Sequence, residues 1–502
     1  MMKNIKILTL IFLAMGIFAC TDLAEDPVGV LAPDGFFKTE NDVEAALYGA
    51  YGHMASESYW GRKLSVTIML RSDMVDIGNP GTPARRIEMN TFSDDAFSGM
   101  VSAFWPRAYE CISAANTAIY GAEIIDGVSE EERNALIADG KFARSSVYFN
   151  LVRLFGDIPY ITEAVSDPEA LKEISKTPAA DVYAGIIEDL EYGKQYLPMT
   201  QSSRSRPSAG AAATMLADVY LTLGNYTEAY ANAKWVIDHA AELEYALEPD
   251  YQVLFDGAQQ DGQKEHIFVL DFLGLQSGGS SEGDDLLGPL TGIRNADMLG
   301  WGVAVPSMAV YNSFDDRDYR KAVSFDAEAL HGGVMKPYTE FAFEKRPHIA
   351  KYTRYPGNAS AERRYTDFNY AFYRYADVLL MAAEAGNELT GPNAELEGYV
   401  NQIRERARNA AGTMNSYPED VQTGLSKDAF RTMVLEERRI ELCFEMKRWW
   451  DIKRRNLGDE VFKGTNSLEP QSNFNAAKSY LMALPQDELD RNPNLLPQNS
   501  GY

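Results

Sequence analysis

Between Ala209 and His239 the apolar residues fall with the period of two short helices joined by a tight turn, and no other stretch of the chain narrows its fold as much. Leu216, Val219, Tyr220 and Leu223 stand at i, i+3, i+4 and i+7, one face of a helix. Gly224 ends that helix, and Asn225 with Glu228 three residues on forms a capping pattern for the next. Ala229, Ala233, Val236 and Ile237 line the inner face of the second helix, and Ala211, Ala212, Ala213 and Ala217 allow the two to approach closely. A single pair of this kind cannot bury its apolar face alone, so further helices must stack against it.

Such neighbours are present at Phe104 to Tyr120, Glu131 to Phe155, Asp181 to Leu197, Phe372 to Leu389, Leu396 to Ala410 and Ser426 to Arg455, each with helical periodicity. The Gly-Asn-Tyr turn and the Ala/Tyr-rich seam of the pair resemble a tetratricopeptide repeat. Strand signals are few and short, Ile267 to Leu270 being the clearest. Residues 71–98, 274–303 and 331–365 lack periodicity and are rich in Gly, Pro, Ser, Asp and aromatics; loops that long inside a compact body are commonly functional. The expectation is a mainly α fold, tetratricopeptide-like helix pairs forming a scaffold, with an irregular loop-rich half and few short strands. With 502 residues, 45% of them hydrophobic, the chain can bury a sizeable core, and it reads as one body from residue 21 to 502 rather than the three that length alone suggests.

Charge excludes whole classes of partner. With 73 acidic against 47 basic residues, a net charge of −26 and no Lys/Arg run longer than three, the chain is unsuited to phosphate backbones or anionic headgroups. Membrane attachment must then be covalent or hydrophobic, and the N-terminus supplies it. Lys3 and Lys6 precede the apolar run Ile7 to Ala19, which is too short to span a hydrocarbon core of about 30 Å and reads as a secretory signal. Ile17-Phe18-Ala19-Cys20 resembles the lipobox of bacterial lipoproteins, so residues 1–20 are expected to be a leader ending at a lipidated Cys20. The alternative is an ordinary signal cleaved nearby, with Cys20 incidental. Cys111 and Cys443, each within a helical apolar pattern, are expected to be buried thiols.

Chemistry-bearing motifs are missing. The five His show no ligand spacing, and the chain has no nucleophile elbow, phosphate loop or dinucleotide fingerprint. The charge-dense segment Ser426 to Arg455 reads as structural: Glu436–Arg439, Glu445–Arg448 and Asp451–Arg454 stand at i,i+3. Glu437 falls near the apolar face of Phe430, Met433, Val434, Ile440 and Phe444, where a carboxylate needs a guanidinium such as Arg404 or Arg406.

Six ordered segments resemble the SusD/RagB family of outer-membrane nutrient-binding lipoproteins of Bacteroidetes. They are Lys141 to Ile161, Val219 to Ile237, Tyr373 to Glu388, Val400 to Arg408, Leu435 to Arg454, and Ala483 to Tyr502. Met446 stands where the family usually has glycine. The resemblance implies four tetratricopeptide-like helix pairs, ligand loops at about 60–100 and 274–365, a lipid anchor in the outer membrane facing the exterior, and no catalysis or cofactor. It also implies capture of an oligosaccharide, or in some branches a peptide or other nutrient, for delivery to a SusC-like TonB-dependent transporter. A surface glycoside hydrolase is the reading from another class and would require two carboxyls about 5–9.5 Å apart in one cleft.

Binding a sugar without chemistry needs aromatic faces and planar polar groups on a rigid support. Trp105, Trp235, Trp449 and Trp450 lie in helical patterns, which leaves Trp60 and Trp301, both beside glycine, as stacking candidates. Arg71, Asp73, Asp76, Asn79, Arg85 and Arg86 are the hydrogen-bonding candidates, in the region where the family places ligand contacts. The Gln276 to Asp285 loop has the composition of a lid, and its acids could offer oxygen ligands to a structural Ca²⁺, which spacing alone does not show; no other metal site is expected.

Overall fold

A computed structural model describes residues 33–165, 168–277, 285–360 and 364–502. The leader with Cys20, and most of the Gln276–Asp285 loop, lie outside the described residues. The scaffold consists of α1 Glu40–Ala55, α2 Lys63–Leu70, α3 Ala84–Thr91, α4 Val101–Ile124, α5 Glu130–Phe155, α6 Ala179–Tyr196, α7 Ala209–Thr222, α8 Tyr226–Asp238, α9 Tyr375–Thr390, α10 Ala394–Arg408, α11 Lys427–Glu441 and α12 Arg448–Arg454. From α4 to α9 the order of packing is largely the order of sequence, α4 on α5, α5 on α6, α6 on α7, α7 on α8 and α8 on α9, with α1 covering α4. α9 then carries α10 and α11.

The turn between α7 and α8 forms as its residues dictate. Gly224 takes φ +72°, which a side chain would resist, and Asn225 accepts a hydrogen bond from the Glu228 amide at 3.4 Å to cap α8. Apolar faces of the stacked helices merge into a core running from Ala50 to Leu495, beside a smaller cluster around Phe37, Val43, Leu47 and Ala118. Cys111 and Cys443 are separate buried thiols, and Trp105, Trp449 and Trp450 are core residues.

Strands are short: β1 Asp76–Ile77, β2 His266–Leu270, β3 Ala304–Val305, β4 Phe325–Asp326, β5 Glu328–His331, β6 Val334–Pro337, β7 His348–Ile349 and β8 Tyr370–Arg374. They form antiparallel ribbons β1–β3, β2–β8, β4–β7 and β5–β6. The helix expected from Phe372 begins only at Tyr375, because residues 370–374 pair with β2. Phe372, Tyr373 and Arg374 are buried there, so tertiary pairing overrides the helical pattern.

The expected single helix Ser426 to Arg455 is two helices. α11 stops at Glu441, and Phe444 and Met446 take φ of +65° and +56° before α12 begins. Met446 thus holds a left-handed conformation that glycine adopts more readily than a residue with a side chain. The break re-aims the charges that follow. Glu445, expected to pair with Arg448, instead turns inward to Lys351 and Arg374, both at 2.7 Å, while Arg448 binds Asp73 through two 2.8 Å hydrogen bonds. Glu436–Arg439 and Asp451–Arg454 do form, at 2.5 and 2.7 Å.

Glu441 sits at the centre of a buried charge network. Arg406 and Arg374 reach it from α10 and from the end of β8, and Arg320 reaches it at 3.2 Å. Both Arg374 and Arg406 also hold Glu265. Arg320 spans Asp318 at 2.8 Å and Glu437 at 2.6 Å, and Arg404 closes on Glu437 at 2.7 Å. Glu437 therefore takes its guanidiniums from Arg404 and Arg320, while Arg406 serves Glu441. Burial opposes ionisation of Glu441, but Arg406, Arg374 and Arg320 outweigh it and hold the carboxyl down to about 2.

Removing one charge strands the others in a dry interior, so Glu441→Gln should cost about 3–5 kcal/mol, read as a lower urea midpoint. Because the Glu441 pKa is depressed, its contribution is present above about pH 4.5 and is lost as pH falls towards 2. The variant's deficit should shrink over that interval; a midpoint equal to wild type at pH 7 would disprove the role.

Candidate functional site

The aperiodic segments converge on one face through backbone pairing. β1 lies antiparallel to β3, with Asp76 opposite Val305 and Ile77 opposite Ala304. The pairing continues as the Gly78 amide donates to Val303 O at 2.9 Å and the Asn79 amide to Gly302 O at 2.6 Å. A Cβ on Gly78 would stand 2.4 Å from the Gly302 carbonyl, so this contact admits only glycine. Trp301 is fixed from the other side, its amide donating to Pro289 O at 2.6 Å.

Side chains fill in around this ribbon. Asn79 Nδ2 donates to Trp301 O at 3.4 Å, and Asn79 Oδ1 accepts from the Gly81 amide at 3.0 Å. Arg346 reaches Asp76 at 3.3 Å and Ile77 O at 3.1 Å. Arg294 donates to Glu344 Oε1 at 2.8 Å and lays its guanidinium 3.9 Å from the ring centre of Phe343, which is 47% exposed. Glu344 Oε2 is buried without a partner among the described residues. Exposed Phe343 and the planar groups of Asn79, Arg294, Glu344 and Arg346 thus lie about the ribbon whose backbone fixes Trp301, itself half-buried against the core, an assembly that offers a ring face and planar hydrogen-bonding groups.

Three sequence candidates lie elsewhere. Trp60 is 5% exposed and stacks on Phe372 at 4.3 Å, so its indole is core. Arg71 is fully buried between Phe92 and Trp449, bound to Asp94 at 2.8 Å and to Ser479 O at 2.6 Å. Asp73 is buried against Arg448. Trp60 precedes the wholly buried α2, and Arg71 and Asp73 follow directly on its end at Leu70, so all three remain in the core. Trp301, Asp76 and Asn79 come together on the face, and Arg85 and Arg86 follow one turn later at the start of α3. Arg294, Phe343, Glu344 and Arg346 were missed. They lie in the aperiodic regions, and the readable signal was the pair of aromatics followed by three charged residues in Phe341-Ala342-Phe343-Glu344-Lys345-Arg346.

Two hollows are lined by other residues. One of about 440 Å³ is bounded by Trp105, Tyr109, Ile161, Leu171 and Leu495 on the helical side. Another of about 680 Å³ lies between Tyr311, Phe325, Met335 and Tyr355, beside the β5–β6 ribbon. Among the described residues no group of three or more His, Cys, Asp or Glu is placed to hold a metal ion. Asp285, the last acid of the expected lid loop, is buried and accepts from Thr366 and Tyr370.

Residues 336–502 match the model described as the SusD family, and residues 42–221 match one described as starch-binding, associating with outer membrane. SusD-like protein P2 of Formosa agariphila is 50% identical over the whole of both chains. The chain belongs to the SusD family. A SusD homologue of Bacteroides thetaiotaomicron superposes with a TM-score of 0.82 at 22% identity, over 94% of this chain and 98% of that one. Surface glycan-binding protein A of the same organism, solved in complex with laminarihexaose, gives 0.74 at 19% identity over 92% and 100%. The helical SusD fold is therefore shown, and in this SusD-family chain the irregular half presents the face just described.

One titrating group lies beneath that face. Burial raises Glu469 to about 7, with the charge of Asp76 adding to the effect, while the Ser307 amide, donating at 3.0 Å, and Arg346 oppose it. The folded protein holds this proton more tightly than the unfolded chain, so the contribution of Glu469 to stability is fully present below about pH 4.5 and is lost as pH rises through 7. Glu469→Gln should flatten that slope, giving a melting-temperature gain over wild type at pH 8 that vanishes at pH 5; equal slopes would refute the assignment.

Proposed function

We propose that this chain is a non-catalytic cell-surface glycan-binding lipoprotein that captures oligosaccharide on the face of Trp301, Phe343, Asn79, Arg294, Glu344, Asp76 and Arg346. The observation that carries the reading is the exposed Phe343 ring, backed by Arg294, which also holds Glu344, whose Oε2 has no partner among the described residues, beside a ribbon that needs no ligand to form. The SusD fold, and the laminarihexaose complex of a protein sharing it, support the same reading. An open face rather than a deep cavity suits a chain-like ligand laid across the surface. We assign anchorage to a lipidated Cys20 and delivery to a SusC-like TonB-dependent transporter, with the protein outside the outer membrane.

Catalysis is the reading against which this one is tested. Glu469, protonated up to about 7 near Asp76, has the character of a general acid, but its carboxyl is buried and engaged by the Ser307 amide. Incubating the protein with a panel of plant, host and microbial oligosaccharides should show affinity for one class and no cleaved product; product formation would replace the binding reading with a hydrolase.

On the glycan that binds, Trp301→Ala and Phe343→Ala should each weaken affinity about tenfold, since losing one stacked ring costs roughly 0.5–1.5 kcal/mol beyond area. Phe343→Ala should leave the melting temperature unchanged, whereas Trp60→Ala should lower it. Undiminished affinity in both face variants would remove the site. Cys20→Ala should move the protein from the membrane fraction to the soluble one, and retention in the membrane would defeat the anchor.

A further inference from the structure

Among the described residues, buried guanidiniums are matched to carboxylates with one conspicuous exception. Arg71 has Asp94, Arg320 has Asp318 and Glu437, Arg374 has Glu265 and Glu445, and Arg438 has Asp377 and Asp451. Arg86 is only 6% exposed, yet its one side-chain hydrogen bond goes to the neutral Thr82 hydroxyl at 3.0 Å. The Nε atoms of Arg86 and of its neighbour Arg85 are both buried with no acceptor among the described residues. Lys63, 9% exposed, joins them; its nearest carboxylate is Glu57 at 3.9 Å, and Glu57 is already paired with Arg62.

Placement compounds the mismatch. Lys63 opens α2, and Arg85 and Arg86 lie in the first turn of α3, so all three stand where the helix dipole is positive and repels cations. Burial, then Arg62, Arg85 and Arg86, push Lys63 down to about 7, and burial with Arg85 pushes Arg86 down to about 10. An uncompensated buried charge is costly, and in a chain of net charge −26 such a concentration of cations is not a general surface property. The cluster is also tied to the face described above. Arg86 holds Thr82, the Thr82 amide donates to Asn79 O at 3.0 Å, and Asn79 donates to the carbonyl of Trp301.

We infer that Lys63, Arg85 and Arg86 form a subsite for an anionic substituent on the glycan, a carboxylate or a sulfate ester, and that the ligand is accordingly an acidic oligosaccharide. The inference rests on the glycan reading and deepens it. Guanidinium forks match the planar pairs of oxygens that both groups present, and an anion there would satisfy the orphaned Nε donors, offset the mutual repulsion and suit both helix termini at once.

The test uses the whole mature protein and an Arg85→Gln/Arg86→Gln variant. Melting temperatures are read in sodium glucuronate and in sodium sulfate, each against sodium chloride at the same ionic strength. Wild type should gain a few degrees and the variant none, while without added anion the variant should melt no lower than wild type, because it has lost an unpaired buried charge. No gain in wild type, or an equal gain in both proteins, overturns the subsite. Calorimetric titration then uses oligogalacturonate, carrageenan oligosaccharides and laminarihexaose. An acidic oligosaccharide, carboxylated or sulfated, should bind and lose at least tenfold in affinity in the variant, and which of the two binds identifies the substituent. If only laminarihexaose binds, equally to both proteins, the subsite falls and the glycan reading stands. If simple anions protect only wild type and no oligosaccharide binds, the subsite stands and the glycan reading falls.

Discussion

Glu441 is the residue on which the two halves of the molecule meet. It reaches the helical scaffold through Arg406 on α10, the β2–β8 ribbon through Arg374, and the irregular half through Arg320. Its backbone carbonyl accepts from Tyr251, whose hydroxyl in turn receives Lys351 at 2.7 Å. No apolar contact has the directionality to hold four separate segments in one register. Buried ion pairs seldom add much net stability over a well-packed apolar substitute, but breaking one is expensive, so a network of this kind penalises every arrangement but one. The loop-rich half, short of regular ladders, is the part that needs that discrimination.

The helix break after Glu441 makes the network possible. Had α11 continued, Glu445 would have stayed beside Arg448 on the helix surface, as its spacing suggests. With Phe444 and Met446 in left-handed conformations, Glu445 points inward to Arg374 and Lys351, and Arg448 is released to clasp Asp73 at the end of the α2 segment. Two strained residues thereby convert local i,i+3 charges into long-range fasteners.

Much of this was legible in the residues and some was not, for identifiable reasons. The α7–α8 pair, its glycine turn and its asparagine cap follow from local chemistry, and they formed as read. β8 did not follow, because Tyr370 to Arg374 has the apolar density of a helix and becomes a strand only by pairing with β2, a partner about a hundred residues away. Trp60 and Arg71 looked like ligand contacts since each stands near a loop, but neither tryptophan nor arginine announces in sequence whether it faces core or solvent. Phe343 and Arg294 escaped notice because they acquire meaning only from each other, across a loop closure that periodicity does not report. Trp301, Asp76 and Asn79 fall at the ribbon because they border the glycines where the backbone itself must approach closely.

The β1–β3 pairing that carries the face is made almost wholly by main-chain groups, from Asp76 to Asn79 on one side and Gly302 to Val305 on the other. Apart from the glycines at the crossing, its geometry asks nothing of the side chains it displays. The scaffold's stability and the surface's chemistry are thus written in different residues, and substitutions that re-letter the surface leave the frame intact. A lineage with this architecture can change what the face presents by altering a few outward positions, without re-solving the folding problem each time.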